Sequence, residues 1–220
     1  MSRSIRQWLA VLLLGGAMSG DGVHAGDEAG IAELLDEVGR LAAQLPAPAN
    51  RVDPEMERAL AALSEGRPLE SLAVLREIIR KEPDHAQARF IAATALIHLK
   101  RYDAARTLLE QLLEKHPQHP GLLNNLAWLY ATATDPAARR AKDAVELARR
   151  ALVIDGGDFH IWSTMAEAYF ADRQFARALR AAEEALRLSR EKRAPARQII
   201  TYEQQVAKCR EAVLAYSIFE

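Results

Sequence analysis

Cysteine is nearly absent: Cys209 is alone among 220 residues, so no disulfide within the chain can staple the fold. Glycine and proline are sparse, at 11 and 9 residues, which excludes collagen-like sequence and Pro/Gly-rich disorder. A formal net charge of −1 leaves no broad basic excess for neutralising phosphates, so no nucleic-acid partner is expected. There is no Gly-rich phosphate loop, no nucleophile elbow and no metalloprotease pattern. The pair Glu183–Glu184 reads as solvent-facing helix charge, and His116 and His119 are separated by Pro117, which denies them helical spacing as metal ligands. These absences point away from an enzyme. They imply no cofactor, no metal and no small-molecule substrate.

The N-terminus carries an export pattern. Arg3 and Arg6 precede an apolar run from Trp8 to Met18, too short to span a bilayer comfortably, and Val23-His24-Ala25 supplies small-residue cleavage chemistry. Residues 1–25 are therefore expected to be a signal peptide, with the mature chain beginning near Gly26 in the periplasm or outside the cell. Cleavage takes away Arg3, Arg6 and Asp21 and lowers the net charge to −2. From Gly26 to His85 acids outnumber bases 13 to 7, so the positive balance falls in the rest of the chain.

What the sequence does have is a repeat. Pro83 and Pro117 are 34 apart, within the similar segments KEPDH and EKHPQH. With these prolines at place 32 of a 34-residue unit, small residues recur at place 8 (Ala59, Ala93, Ala127, Ala166) and at place 20 (Ser71, Ala105, Ala144, Ala178). Small side chains suit points where paired helices approach most closely. The last unit adds Trp162, Tyr169, Phe175, Ala182 and Ala185 at their places, and the third has Tyr130 with an insertion from Thr132 to Lys142 around Pro136. The chain resembles the tetratricopeptide-repeat (TPR) family over residues 52–190. The resemblance is specific in the last three units and weaker in the first, where Glu55 and Arg58 fall at apolar places.

The resemblance implies an all-α fold, a right-handed α-solenoid of about four TPR helical hairpins. The expected layout is a signal peptide at 1–25, an N-terminal helix and linker at 26–51, and repeats at 52–85, 86–119, 120–158 (with the loop insertion) and 159–190. A C-terminal capping helix over 191–220 completes it. Ile199, Tyr202, Val206, Cys209, Val213 and Tyr216 form the apolar stripe of that cap, and Ile31, Leu34, Val38, Leu41 and Leu45 a similar one before the array.

By the same resemblance, partners bind in the concave groove lined by the first helix of each repeat. Those places hold Phe90, Thr94, Ile97 and His98 in the second unit, Asn124, Asn125, Trp128 and Thr132 in the third, and His160, Ser163, Glu167 and Phe170 in the fourth. Asn125 matches the Asn with which many TPR proteins hold a peptide backbone. Lysines are missing from the carboxylate-clamp places, so an acidic C-terminus is not the expected ligand. The function expected is a non-enzymatic envelope adaptor holding a protein or peptide partner during assembly of a larger complex. Membrane contact would come only through that partner or an uncleaved signal segment. The alternatives are a permanent structural subunit using its convex face or capping helix, and an enzyme with a dispersed site.

Overall fold

The computed structural model describes residues 54–217, and every regular element in that stretch is helical. The signal segment and the helix expected at 31–45 lie outside the described residues. The helices are α1 (Pro54–Ser64), α2 (Pro68–Lys81), α3 (Ala86–His98), α4 (Tyr102–Lys115), α5 (Pro120–Thr132), α6 (Ala141–Ile154), α7 (Phe159–Ala171), α8 (Phe175–Glu191) and α9 (Ala196–Ser217). A short 3-10 turn, Pro136–Ala138, lies in the insertion between α5 and α6. The chain divides after Pro117 into two compact units, α1–α4 and α5–α9.

Within each unit the odd-numbered helix of a pair is the apolar one. α5 is buried at every position from Pro120 to Ala131, as a helix that is apolar on nearly all sides must be. Its partner α6 is amphipathic and buries one stripe, Ala144, Ala148 and Ala151, against its neighbours. The division repeats in α3, largely buried, and α4, which buries Ala105, Leu109 and Leu112. All eight small residues at places 8 and 20 have 0% exposure. A larger side chain at any of them would force the paired helices apart.

The hairpin turns repeat a hydrogen-bond pattern. Where α1 ends, Gly66 N–H donates to Leu63 O and Arg67 N–H to Ala62 O, a Schellman closure with Gly66 in the left-handed region at φ 71°. α3 and α7 end the same way, with Arg101 N–H on Leu96 O and Gln174 N–H on Tyr169 O. In the third repeat the insertion loops out, yet Arg140 N–H still reaches Tyr130 O at 3.0 Å. The carbonyl three from the last turn is therefore satisfied in all four hairpins, and the second helix always enters at the same height.

Starts of the first helices repeat as well. His85 and His119, both over 90% buried, accept through Nδ1 from Ala88 N–H (3.3 Å) and Leu122 N–H (3.2 Å). Asp158 fills this place before α7 and accepts from His160 N–H at 2.8 Å. These side chains cap otherwise orphaned donors. They are fixed caps rather than free loop histidines.

α9 lies against α7 and α8. Tyr202, Val206 and Cys209 are buried, and the last two join a core with Met165, Ala166, Ala178, Ala181 and Ala182. Covering an apolar side chain such as Val206 contributes about 1.5–3 kcal/mol, which is how a terminal helix seals the last hairpin.

Candidate functional site

The groove places of the first helices divide sharply by burial. In the first unit Phe90 is 1% exposed and Thr94 2%, with the Thr94 hydroxyl donating to Phe90 O at 3.0 Å. Ile97 and His98 are partly buried, and burial pushes the His98 imidazole below its ordinary value. In the second unit Asn124, Asn125 and Trp128 are buried too, and the Thr132 hydroxyl is turned to Trp128 O at 2.8 Å. Phe90, Thr94, Asn124, Asn125 and Trp128, expected to line the groove, are thus covered rather than open to solvent. α3 and α5 are buried on nearly every side. Asn124 Oδ1 is buried with no hydrogen-bond partner among the described residues.

The places on α7 differ. Ser163, Glu167 and Phe170 are only partly buried, and α9 completes their surroundings. Ser163 Oγ donates to Gln205 Oε1 at 3.0 Å, and Gln205 Nε2 donates to Ser163 O at 3.1 Å and to Glu167 Oε1 at 2.9 Å. Lys208 Nζ reaches both oxygens of Glu167, at 3.0 and 2.7 Å, and stands 4.3 Å above the Phe170 ring centre. Phe170 in turn meets Phe175 edge-on at 5.2 Å. The result is a small amphipathic surface with an aromatic ring, an ion pair, a hydroxyl and one amide. It can offer aromatic contact area and the outward side of the Glu167–Lys208 pair to a polypeptide.

His160, the fourth groove place on α7, is buried. Its Nδ1 lies 2.9 Å from Asp158 Oδ1 and its Nε2 2.9 Å from Gln198 Nε2. With the Gln198 amide donating to Nε2, the neutral ring carries its proton on Nδ1, facing Asp158. This triad ties the first turn of α9 to the start of α7. Among the described residues no group of three His, Cys, Asp or Glu side chains gathers to hold a metal ion. Cys209 is 1% exposed, and burial pushes its thiol up to about 11, with the Glu167 carboxylate adding to the rise.

Sequence reasoning missed Gln198, Gln205 and Lys208. The stripe at 199–216 predicts packing alone, but 198, 205 and 208 flank it at helical spacing on the side toward α7.

Two tetratricopeptide-repeat family models match the chain, over residues 62–129 and 101–159. Residues 62–159 are tetratricopeptide-repeat sequence. Its fold is similar to two solved TPR structures. One is described as MamA RS-1 ArsTM double mutant, at 18% identity and a TM-score of 0.51, covering 74% of this chain and 98% of that one. The other is MamA MSR-1 C2, at 20% identity and a TM-score of 0.50, covering 71% and 87%. At these identities the likeness shows the fold, an all-α TPR array. No curated protein matches the sequence. TPR hairpins are protein-interaction modules, and that level of function follows from the family.

Proposed function

We propose that this TPR protein is a non-enzymatic adaptor of the cell envelope that holds a peptide or protein partner during assembly of a larger complex. The partner site is the α7–α9 face of the second unit. One observation carries the placement: of the expected groove residues in that unit, Ser163, Glu167 and Phe170 keep side-chain surface toward solvent while Asn124, Asn125 and Trp128 do not. The envelope reading rests on the positive start, the short apolar run and the cleavage chemistry of residues 1–25.

The test is partner affinity. Phe170→Ala and Glu167→Ala should each weaken binding by about thirtyfold if they anchor the partner, since such an anchor is worth on the order of 2 kcal/mol. Arg106→Ala and Arg180→Ala, on the second helices of their repeats, should change it little. Folded groove variants that bind as wild type, beside controls that do not, would move the site to the convex side.

A second reading, a permanent structural subunit, is favoured by the exposure of Val153 (77%) on α6 and Ile200 (51%) on α9. It predicts that Val153→Ser or Ile200→Ser prevents the complex from assembling, whereas α7 substitutions leave it intact.

A further inference from the structure

Short connections make α5, α6, α7, α8 and α9 run alternately up and down, and neighbouring helices pack on one another. α5, α7 and α9 therefore point the same way. The contacts agree: Gln198 meets His160 near the start of α7, Lys208 meets Glu167 and Phe170 near its end, and Tyr216 lies 5.5 Å from Phe175 at the beginning of α8. One end of the second unit thus gathers the α5–α6 turn, the α7–α8 turn and the last turn of α9.

Bases gather at that end. Arg140, Lys142, Arg173 and Arg177 are all exposed there. None of the four has a carboxylate partner among the described residues, whereas Arg149, Arg187 and Arg190 are paired with Glu146, Glu184 and Glu203. Arg140 and Arg177 rest over the rings of Tyr130 (5.2 Å) and Tyr169 (5.9 Å), which holds their guanidinium groups outward without neutralising them. The nearby acids are Asp135, which caps Ala137 N–H, Asp143, and Asp172, which accepts from Gln174; they are fewer than the four bases.

Arg173 is also strained. It sits at φ 60° in the left-handed position that Gly66 occupies in the first repeat, at a cost of roughly 1 kcal/mol to a residue with a Cβ. Lys100 takes the same place in the first unit at φ 56°. Arg193, in the α8–α9 turn, is left-handed too, at φ 54°.

Beside the bases, at the same end, α9 exposes Leu214 (60%) and Tyr216 (43%), and Tyr216 continues the ring series Phe170–Phe175–Tyr216. A soluble polyanion would engage the arginines and leave Leu214 and Tyr216 in water. A bilayer interface uses both: headgroup phosphates for the guanidinium groups and the acyl boundary for a Tyr–Leu pair. We infer that this end of the second unit docks directly on an anionic phospholipid surface. The inference does not depend on the adaptor reading, because its residues lie outside the Ser163–Glu167–Lys208 cluster.

The experiment is flotation of the protein, purified as the cell processes it, with phosphatidylglycerol/phosphatidylcholine vesicles and with phosphatidylcholine vesicles alone. Binding through an unprocessed N-terminal apolar run would appear on both. Wild type should float with the anionic vesicles only, and less so as salt rises. The triple variant Lys142→Gln, Arg173→Gly, Arg177→Gln should bind on the order of a hundredfold more weakly, since each base near such a surface contributes about fivefold. Arg173→Gly relieves strain, so circular dichroism should show this variant folded. Leu214→Ser with Tyr216→Ser should also weaken flotation. Absence of phosphatidylglycerol-dependent binding, or full binding by the triple variant, overturns the inference. So does full binding by the Leu214/Tyr216 variant together with displacement of vesicles by polyglutamate, which would assign the end to an acidic protein.

Discussion

Replacing Ala166 with Leu bears directly on how the helices are held together. Ala166 is 0% exposed at place 8 of the last repeat, in a core with Ala127, Ala148, Met165, Ala178 and Ala182, most of them alanine because the helix axes are close. Leu adds three carbons where most neighbours are alanines that cannot retract, so the helices must part or the rotamer must strain. Overpacking of this kind costs about 1–3 kcal/mol. For a chain of this size that lowers the melting temperature by roughly 2–12 °C, at about 2–4 °C per kcal/mol. Ala176→Leu, on the exposed side of α8, adds the same atoms without a clash and should stay within about 0.5 kcal/mol of wild type. Thermal melts followed at 222 nm decide it. Equal melting of the two variants would mean that the small places do not set helix spacing, and the physical case for the repeat register would fail.

Three further expectations concern single side chains. His119→Ala should destabilise the second unit by about 1 kcal/mol through the lost cap on Leu122 N–H, while His119→Asp, which copies Asp158, should restore stability in urea titrations. Cys209, with its thiol pushed up to about 11, should resist alkylation at neutral pH until denaturant is added; rapid labelling of the native protein would contradict its burial under α9. Burial lowers the His98 pKa, so the unfolded chain binds the proton more readily. The stability that this neutral imidazole supports is complete above its ordinary value of 6.5 and falls as pH drops below it, and His98→Gln should flatten that slope in melts across the window.

Much of the fold was legible because its constraints are local and periodic. Zero-exposure alanines at two fixed places, one apolar helix followed by one amphipathic helix, and the stripe from Ile199 to Tyr216 are all patterns along the chain. The caps were half legible: His85 and His119 sit at the residue before an apolar helix, where Asp158 is an ordinary cap, but histidine is not among the usual capping residues. The site was less legible. Place numbers identify which face of a helix a residue occupies, but not whether that face is covered. α5 reads PGLLNNLAWLYA, so apolar on every side that burial of Asn124, Asn125 and Trp128 follows from its composition more than from its place in the repeat. Gln205 and Lys208 become part of the site only through the packing of α9 along α7, a long-range relation without a sequence period.

The central claim, that the α7–α9 face holds a protein partner in the envelope, is tested most directly by placing a photo-crosslinking residue at position 170 and, in a second strain, at position 180. Both proteins are irradiated in intact cells and the adducts resolved by mass. A discrete heavier species is expected from position 170 in the envelope fraction and none from position 180. A discrete adduct from 180 with none from 170 would contradict it and place the interface on the convex side.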